Sequence, residues 1–356
     1  SAETLGLYPA YKIKPFGHVM RNRLIKKWCL LGEIESLQQL DSKVHSIEKL
    51  INGILGRNIV PAKPIYLLIF LQSHEQQQQG ELQNSSFSYY YEYLVIKSLR
   101  DAGYRSDHLD EMFSYLSYLA WFFKESERKE LHVSELRRFN AKFSDEITSV
   151  DFDSRLAVLS RAKILTRSGD YYRFNYSYIY YLYVGKYLSD NLHLPEFQDL
   201  VASYCSDLFL RENANTVMFL THHTSNPIVV DFIAETLNQC FAGQLPMSFN
   251  GDMAAVNSLV ESTASLIIKD LDVQSNQEKQ KQLADNFESS RSDEGNETKE
   301  WQAQHGEPEK FDVATVSSKI NLTIKTSEIL GSIVKNYYGS INKARKKQYL
   351  SNIFDG

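Results

Sequence analysis

The chain has 356 residues, 43% of them hydrophobic and 23% charged, with a formal net charge of -5. That is long enough for two or three domains with a sizeable core, and the acidic balance argues against a dedicated nucleic-acid binder. Three scattered cysteines outside any C-x-x-C pattern (Cys29, Cys205 and Cys240) argue against a disulfide framework or zinc site and point to a reducing, cytoplasmic setting, and no apolar run is long enough to span a membrane.

Glycine and proline are scarce, at 16 and 8 residues, which favours helices. Residues 8–16 alternate around Lys12 and Lys14 and predict one short strand, ended by Pro15. No other strand is predicted in the next hundred residues. Its sheet is therefore expected to lie upstream, and the chain to begin inside a domain. Helices are predicted over 18–31, stopped by Gly32, and over 36–55, stopped by Gly56. Pro61 and Pro64 bracket a loop. A third helix opens at Ile65 with Pro64 where a missing N–H is harmless. Gln76 to Gln79 reads as a solvated loop, and 87–102 as another amphipathic helix ended by Gly103.

Next come a strongly apolar helix over 108–124, a shorter one over 134–143 and a third over 152–164. Segments 165–168 and 171–176 form a predicted hairpin around Gly169, which supplies the positive φ of a tight turn. Three helices followed by such a hairpin is a winged-helix pattern. A helix then starts at Tyr176. Tyr176, Tyr180, Tyr183 and Tyr187 share a face, read as a stripe packed on the winged helix. Four more helices are predicted over 197–210, 215–223, 227–241 and 252–271, of bundle or solenoid character. Residues 274–310 are polar, a solvated helix or a linker. Residues 313–338 are helical again, before a short basic end.

The fold class is therefore mainly α: a helical bundle, a winged-helix domain with a small hairpin, and a bundle or solenoid-like helical region. The expected boundaries are 1–32, 33–103, 104–192, 193–272, a linker at 273–310, and 311–356.

The order of these elements and their wording (Y-K-I-K-P-F and R-N-R-L-I-K-K-W, then N-I-V-P-A-K-P-I-Y-L-L-I-F-L, then Y-R-F-N-Y-S-Y-I-Y-Y-L-Y-V-G-K-Y-L) resemble the C-terminal half of a STAND-class ATPase of the NACHT type, over residues 8–192. The resemblance implies that residues 1–32 end a nucleotide-binding domain. It implies that Pro64 is the adenine-contacting proline. Phe174 matches the family's Phe of F-x-H, and Tyr176 stands where the phosphate-sensing His would be. Gly185 and Leu188 occupy the small-residue and final Leu positions. A tyrosine can donate to a phosphate but cannot carry a cation. The implied function is the regulatory and sensing portion of a nucleotide-switch ATPase in bacterial signalling or defence. Its implied partner is an upstream nucleotide-binding domain, and the resemblance leaves room for oligomerisation on activation. ATP or ADP with Mg²⁺ is expected for the full-length protein and no cofactor for this chain alone, because no G-x-x-x-x-G-K-[ST] occurs in it. No catalytic motif stands out: Ser160, Ser168 and Ser177 lack a G-x-S-x-G context.

The rival reading is a winged-helix DNA regulator, with Arg155, Arg161, Lys163 and Arg167 at the phosphates. Asp151, Asp153 and Asp170 interleave with them and weaken that field. A pure helical scaffold is the third reading. His222 and His223 point to different faces of one helix and make a poor metal site, even with His193 or His18. The helix dipole accounts for one of them. Asp107, Asp110 and Glu111 read as dipole partners at a helix start.

Overall fold

The computed structural model describes residues 15–32, 36–55, 60, 62–79, 87–105, 108–224, 226–240, 242, 273–292, 316–337, 339 and 341–355. In chain order these form α1 (His18–Cys29), α2 (Leu37–Leu55), α3 (Pro64–Gln79), α4 (Phe87–Asp101) and α5 (Leu109–Glu125). Then come β1 (Leu131–His132), α6 (Val133–Glu146), α7 (Phe152–Arg161), β2 (Leu165–Ser168), β3 (Tyr171–Phe174) and α8 (Ser177–Asn191). The rest is α9 (Pro195–Ser206), α10 (Arg211–His223), α11 (Pro227–Cys240), α12 (Val273–Ser292), α13 (Val316–Asn336) and α14 (Lys343–Asp355). The protein is mainly helical with one small antiparallel sheet. The expected strand over 8–16 and the helix over 252–271 lie outside the described residues, apart from Pro15 and Phe16. Among the described residues no helix is long and apolar enough to cross a membrane.

The chain divides into two compact units, Ser1–Gly80 with Phe249–Thr298, and Glu81–Ser248 with Lys299–Gly356.

In the first unit α2 turns Leu40, Val44, Ile47, Ile51, Ile54 and Leu55 inward, the helical spacing read from the sequence. α1 lies against it through Ile25 and Cys29, both buried. Arg21 is buried too, and its Nη1 donates to Asn52 Oδ1 at 2.9 Å. α3 begins at Pro64 and runs through Gln79. The polar tract expected as a loop is therefore helical, because glutamine is a good helix former and nothing breaks the backbone before Gly80.

The polar segment after residue 272 is a solvated helix, α12, as far as Ser292, and it sits on α1 through polar groups. Asp285 accepts from the backbone N–H groups of His18 and, at 3.1 Å, of Val19. Its carboxylate thus caps α1 from a distant part of the chain, where the helix dipole favours negative charge. Lys281 pairs with Glu48 at 3.0 Å and Arg23 with Glu278 at 3.3 Å.

The residue at the α1 N-cap must be small for this to work. A Cβ on Gly17 would fall 2.5 Å from Asp285 Oδ1. Gly17→Ala should displace the carboxylate and cost about 1 kcal/mol, the usual worth of a cap. Hydrogen exchange at the His18 and Val19 amides should rise with it; unchanged exchange there would refute the capping role.

The second unit holds the sheet. Gly169 has φ +63 and closes the β2–β3 hairpin, with Leu165 opposite Phe174 and Ser168 opposite Tyr171. β1 adds a third strand on the other side of β3, pairing Leu131 with Tyr172, so the order is β1-β3-β2. Two residues are too few to show alternation, which is why only the hairpin was legible in the sequence. α6 starts with a capping box: the His132 ring accepts from Ser134 N–H, and Glu135 accepts from His132 N–H at 3.0 Å. α7 is capped by Asp151, which accepts from Ser154 N–H at 2.9 Å.

α8 is the centre of this unit. It is apolar nearly all round and correspondingly buried: Tyr178, Ile179, Tyr181, Leu182, Tyr183, Val184 and Leu188 are in the core. Of the tyrosine face expected to form a buried stripe only Tyr183 is buried, while Tyr176, Tyr180 and Tyr187 are half-buried; the core is reached mostly from the other faces of α8, because its apolar residues are not confined to one. α5 packs along one side, with Trp121 stacked on Tyr187 at 4.8 Å and Phe113 against Tyr183 at 5.8 Å. α10 crosses the other side at Gly185, where a Cβ would meet the backbone of Phe219 and Leu220 at 2.7 Å. α11 packs on α9, and α13 and α14 close over α11. The three cysteines are buried free thiols.

Candidate functional site

The start of α8 is where the sheet hands over to the helical core, and Tyr176 stands there as the N-cap residue, in extended conformation with no capping bond from its side chain. Its ring stacks on Tyr178 at 5.9 Å. Tyr178 and Tyr183 are fully buried, and loss of hydration pushes both phenols far up. They stay neutral at any ordinary pH.

Beside the α8 N-terminus lies a cleft of about 280 Å³. Its floor is Phe123 and Phe174, with ring centroids 5.2 Å apart and edge to face. Tyr180 and Tyr181 form one wall. Lys124, Arg128 and Lys129 line the rest, with Glu127 and Glu212. Lys124 Nζ pairs with Glu212 at 2.6 Å and sits 5.2 Å from the Tyr204 ring centre. Burial pulls the Lys124 pKa down, but the Glu212 carboxylate and the Tyr204 hydroxyl outweigh it and the net shift is upward. Lys129 shifts the other way, its ammonium disfavoured by desolvation and only partly supported by Glu212. Arg128 turns outward onto Glu135, whose pKa falls because Arg128 and the His132 N–H both bond to its charged form.

Pro64 occupies the first position of α3 and is exposed, preceded by exposed Lys63. It belongs to the first unit and Tyr176 to the second. The sequence singled out Tyr176 but not the cleft next to it. Its signals were local and weak: a short charged run after an apolar helix (Lys124 to Glu130) and an acid opening another helix (Glu212). Only folding brings them together.

Two of the four basic residues expected for DNA, Arg155 and Arg167, are occupied. Arg155 is 8% exposed, bonded to Glu111 and 3.3 Å from the Met112 sulfur, with its guanidinium 4.9 Å from the Tyr115 ring centre. Arg167 curls onto its own hairpin, at 2.5 Å from Gly169 O and 3.2 Å from Asp170. Arg161 and Lys163 are exposed. Asp110 and Glu111 lie in the first turn of α5 as expected, with Glu111 committed to Arg155, and Asp107 lies outside the described residues.

The dipole account of the paired histidines is overturned. His222 and His223 do end α10, but His222 is buried in the core and His223 is half-buried at its edge. His222 lies among the Tyr91 and Phe219 rings, at 5.8 and 5.7 Å. His223 donates from Nε2 to Leu182 O at 2.8 Å, and its Nδ1 faces Glu92 at 3.8 Å. Desolvation lowers His222 to about 3 and His223 to about 4. Neutral rings gain nothing from a helix dipole; these are packing residues with one backbone bond. Among the described residues no group of three or more His, Cys, Asp or Glu could hold a metal ion.

No curated protein matches the chain. A family model does, over residues 129–184: that of the family described as Novel STAND NTPase 4. The matched span starts at Lys129 on the cleft wall and runs through β1, α6, α7 and the hairpin into α8 as far as Val184, and it supports membership of the STAND class.

Proposed function

We propose that this chain is the regulatory and sensing portion of a STAND-class nucleotide-switch ATPase of the NACHT type, used in bacterial signalling or defence. The observation that carries the reading is that the STAND match at 129–184 covers β1–α6–α7–β2–β3, which with α5 just before it makes a helix–strand–helix–helix–strand–strand series, the order of a winged helix. In this reading residues 1–32 end a nucleotide-binding domain. The Walker loop absent from these 356 residues is carried upstream, and that domain binds ATP or ADP with Mg²⁺. Pro64 packs on the adenine and Tyr176 donates its hydroxyl to the phosphates. A neutral donor holds a phosphate less firmly than a protonated histidine would. The winged helix is thus a clamp set to release, one state of a two-state element biased by nucleotide.

The test uses the full-length polypeptide. Purified protein should carry bound ADP at about one per chain, as expected of a closed switch. Tyr176→Phe should lose part of that ADP on dialysis and Tyr176→His should retain more. A full-length polypeptide without a Walker loop, or one that retains no adenine nucleotide, would overturn the reading.

The DNA-regulator reading is weakened by Arg155, which could reach a phosphate only by abandoning Glu111 and the Tyr115 ring. Duplex DNA should therefore show no salt-dependent mobility shift with this chain.

A further inference from the structure

We infer that α12 is a strap held on α1 and α2 by charge, and that it lifts off while the rest of the first unit stays folded. This goes beyond the nucleotide-switch reading and does not depend on it, since every residue involved belongs to the first unit.

α12 has no apolar stripe to dock with. Gln, Ser, Asn, Glu and Lys make up most of Val273–Ser292. Between residues 276 and 286, whose side chains the structure describes, none is buried, and Leu283 is 67% exposed. A helix of this kind is marginal by itself in water and persists only against a partner. Its partners are α1 and α2, and over the same residues the bonds to them are polar. Lys281 pairs with Glu48 of α2, and Glu278 with Arg23 of α1. The Asp285 carboxylate accepts from the N–H groups of His18 and Val19.

The three helices do not interlock. An open groove of about 940 Å³ runs between them, where close apolar packing leaves few voids larger than a water molecule. α12 lines it with Gln277, Glu278, Gln280, Lys281 and Ala284, of which Ala284 alone is apolar. α1 and α2 are joined differently: they pack on one another and bury Ile25, Cys29, Val44, Ile47 and Ile51. This asymmetry sets the order of loosening. α12 exchanges its ion pairs for water and salt with little loss, whereas parting α1 from α2 would wet a hydrophobic core.

What the strap restrains is the start of α1. Phe16 N–H donates to Ala62 O at 2.8 Å, two residues before Pro64 opens α3. Asp285, the first turn of α1 and the entry to α3 are therefore linked by consecutive hydrogen bonds. With α12 away, the His18 and Val19 amides lose the carboxylate that caps them, and the first turn of α1 loosens with it.

The test is hydrogen exchange of the whole chain, resolved along α1, α2 and α12. Amides of α12 should exchange faster than those of α2. Raising NaCl from about 0.1 M to about 1 M should speed α12 severalfold and leave α2 unchanged, since the screening length falls from about 10 Å to about 3 Å. Asp285→Ala should raise exchange about fivefold in α12 and at His18 and Val19, the usual factor for a lost cap. Lys281→Glu sets two carboxylates against each other and should speed α12 as well; adding Glu48→Lys to it should restore the original rate. In Asp285→Ala and Lys281→Glu the α2 amides should keep their own rate, which separates release of the strap from loss of the fold. Three results would each overturn the inference: α12 exchanging in step with α2, exchange in α12 indifferent to salt, or Glu48→Lys failing to rescue Lys281→Glu.

Discussion

Acidification from pH 7 to about 4.5 should strip several kcal/mol from the second unit. His222 and His223 have folded pKa values lowered by burial to about 3 and about 4, against an unfolded value near 6.5. Above pH 6.5 both states hold the rings neutral, and the contribution is fully present. Below it the unfolded chain takes up protons that the folded core refuses, so stability falls with pH until the folded values are reached. Each histidine loses about 1.4 kcal/mol per pH unit, or roughly 5 kcal/mol for the pair over two units. Glu92 opposes this. Burial raises its pKa, so the folded state takes up that proton early and recovers part of the loss. Lys186 and Asp190 also act on His223, lowering and raising it respectively. The loss that remains is a large share of ordinary domain stability. Urea denaturation followed by hydrogen exchange in α8 and α10 would measure it. His223→Gln retains an amide donor for Leu182 O and should roughly halve the slope between pH 6 and 4.5. A slope unchanged by that substitution would mean the ring is not buried neutral.

Among the described glycines, Gly185 should be the one whose replacement most disrupts the core. α8 and α10 touch backbone to backbone there, with the added Cβ 2.7 Å from Leu220 N and from the Phe219 carbonyl carbon. Neither contact is the tip of a flexible side chain, so the helices themselves must separate. Phe219, which packs on Tyr91 at 4.9 Å, would be carried with them. Alanine gains about 1 kcal/mol of helix propensity over glycine, and overpacking costs typically about 1–3 kcal/mol. We expect Gly185→Ala to destabilise on balance, and Gly185→Val to lose about 3 kcal/mol or more. Gly331 in α13 is the control. It is exposed, and a Cβ there meets nothing within 4 Å. Gly331→Ala should stabilise by up to about 1 kcal/mol. Thermal melts of the two alanine variants should therefore shift in opposite directions; a shared sign would refute the close crossing.

Helix positions were legible because their cause is local. The apolar spacing of α2 and the positive φ of Gly169 each act within a few residues, and each can be read from a short stretch of sequence. β1 was not, because two residues carry no period and exist as a strand only by pairing with β3. The histidines misled for the same reason: their place at a helix end is local, whereas their burial under Tyr91, Phe219 and α8 is not.

Residue type and spacing alone determined that this chain is helical, where most of its helices start and stop, and that a hairpin precedes a tyrosine-rich helix. Those properties follow from backbone propensity and from one apolar face per element. Which charges are available was decided only in three dimensions. Arg155 is spent on Glu111 and Arg128 on Glu135, while Lys124, Lys129 and Glu212 converge across 88 residues of chain on one cleft. Solvation and Coulomb energies depend on distance in space rather than along the chain, so no reading of the letters in order could have assigned them.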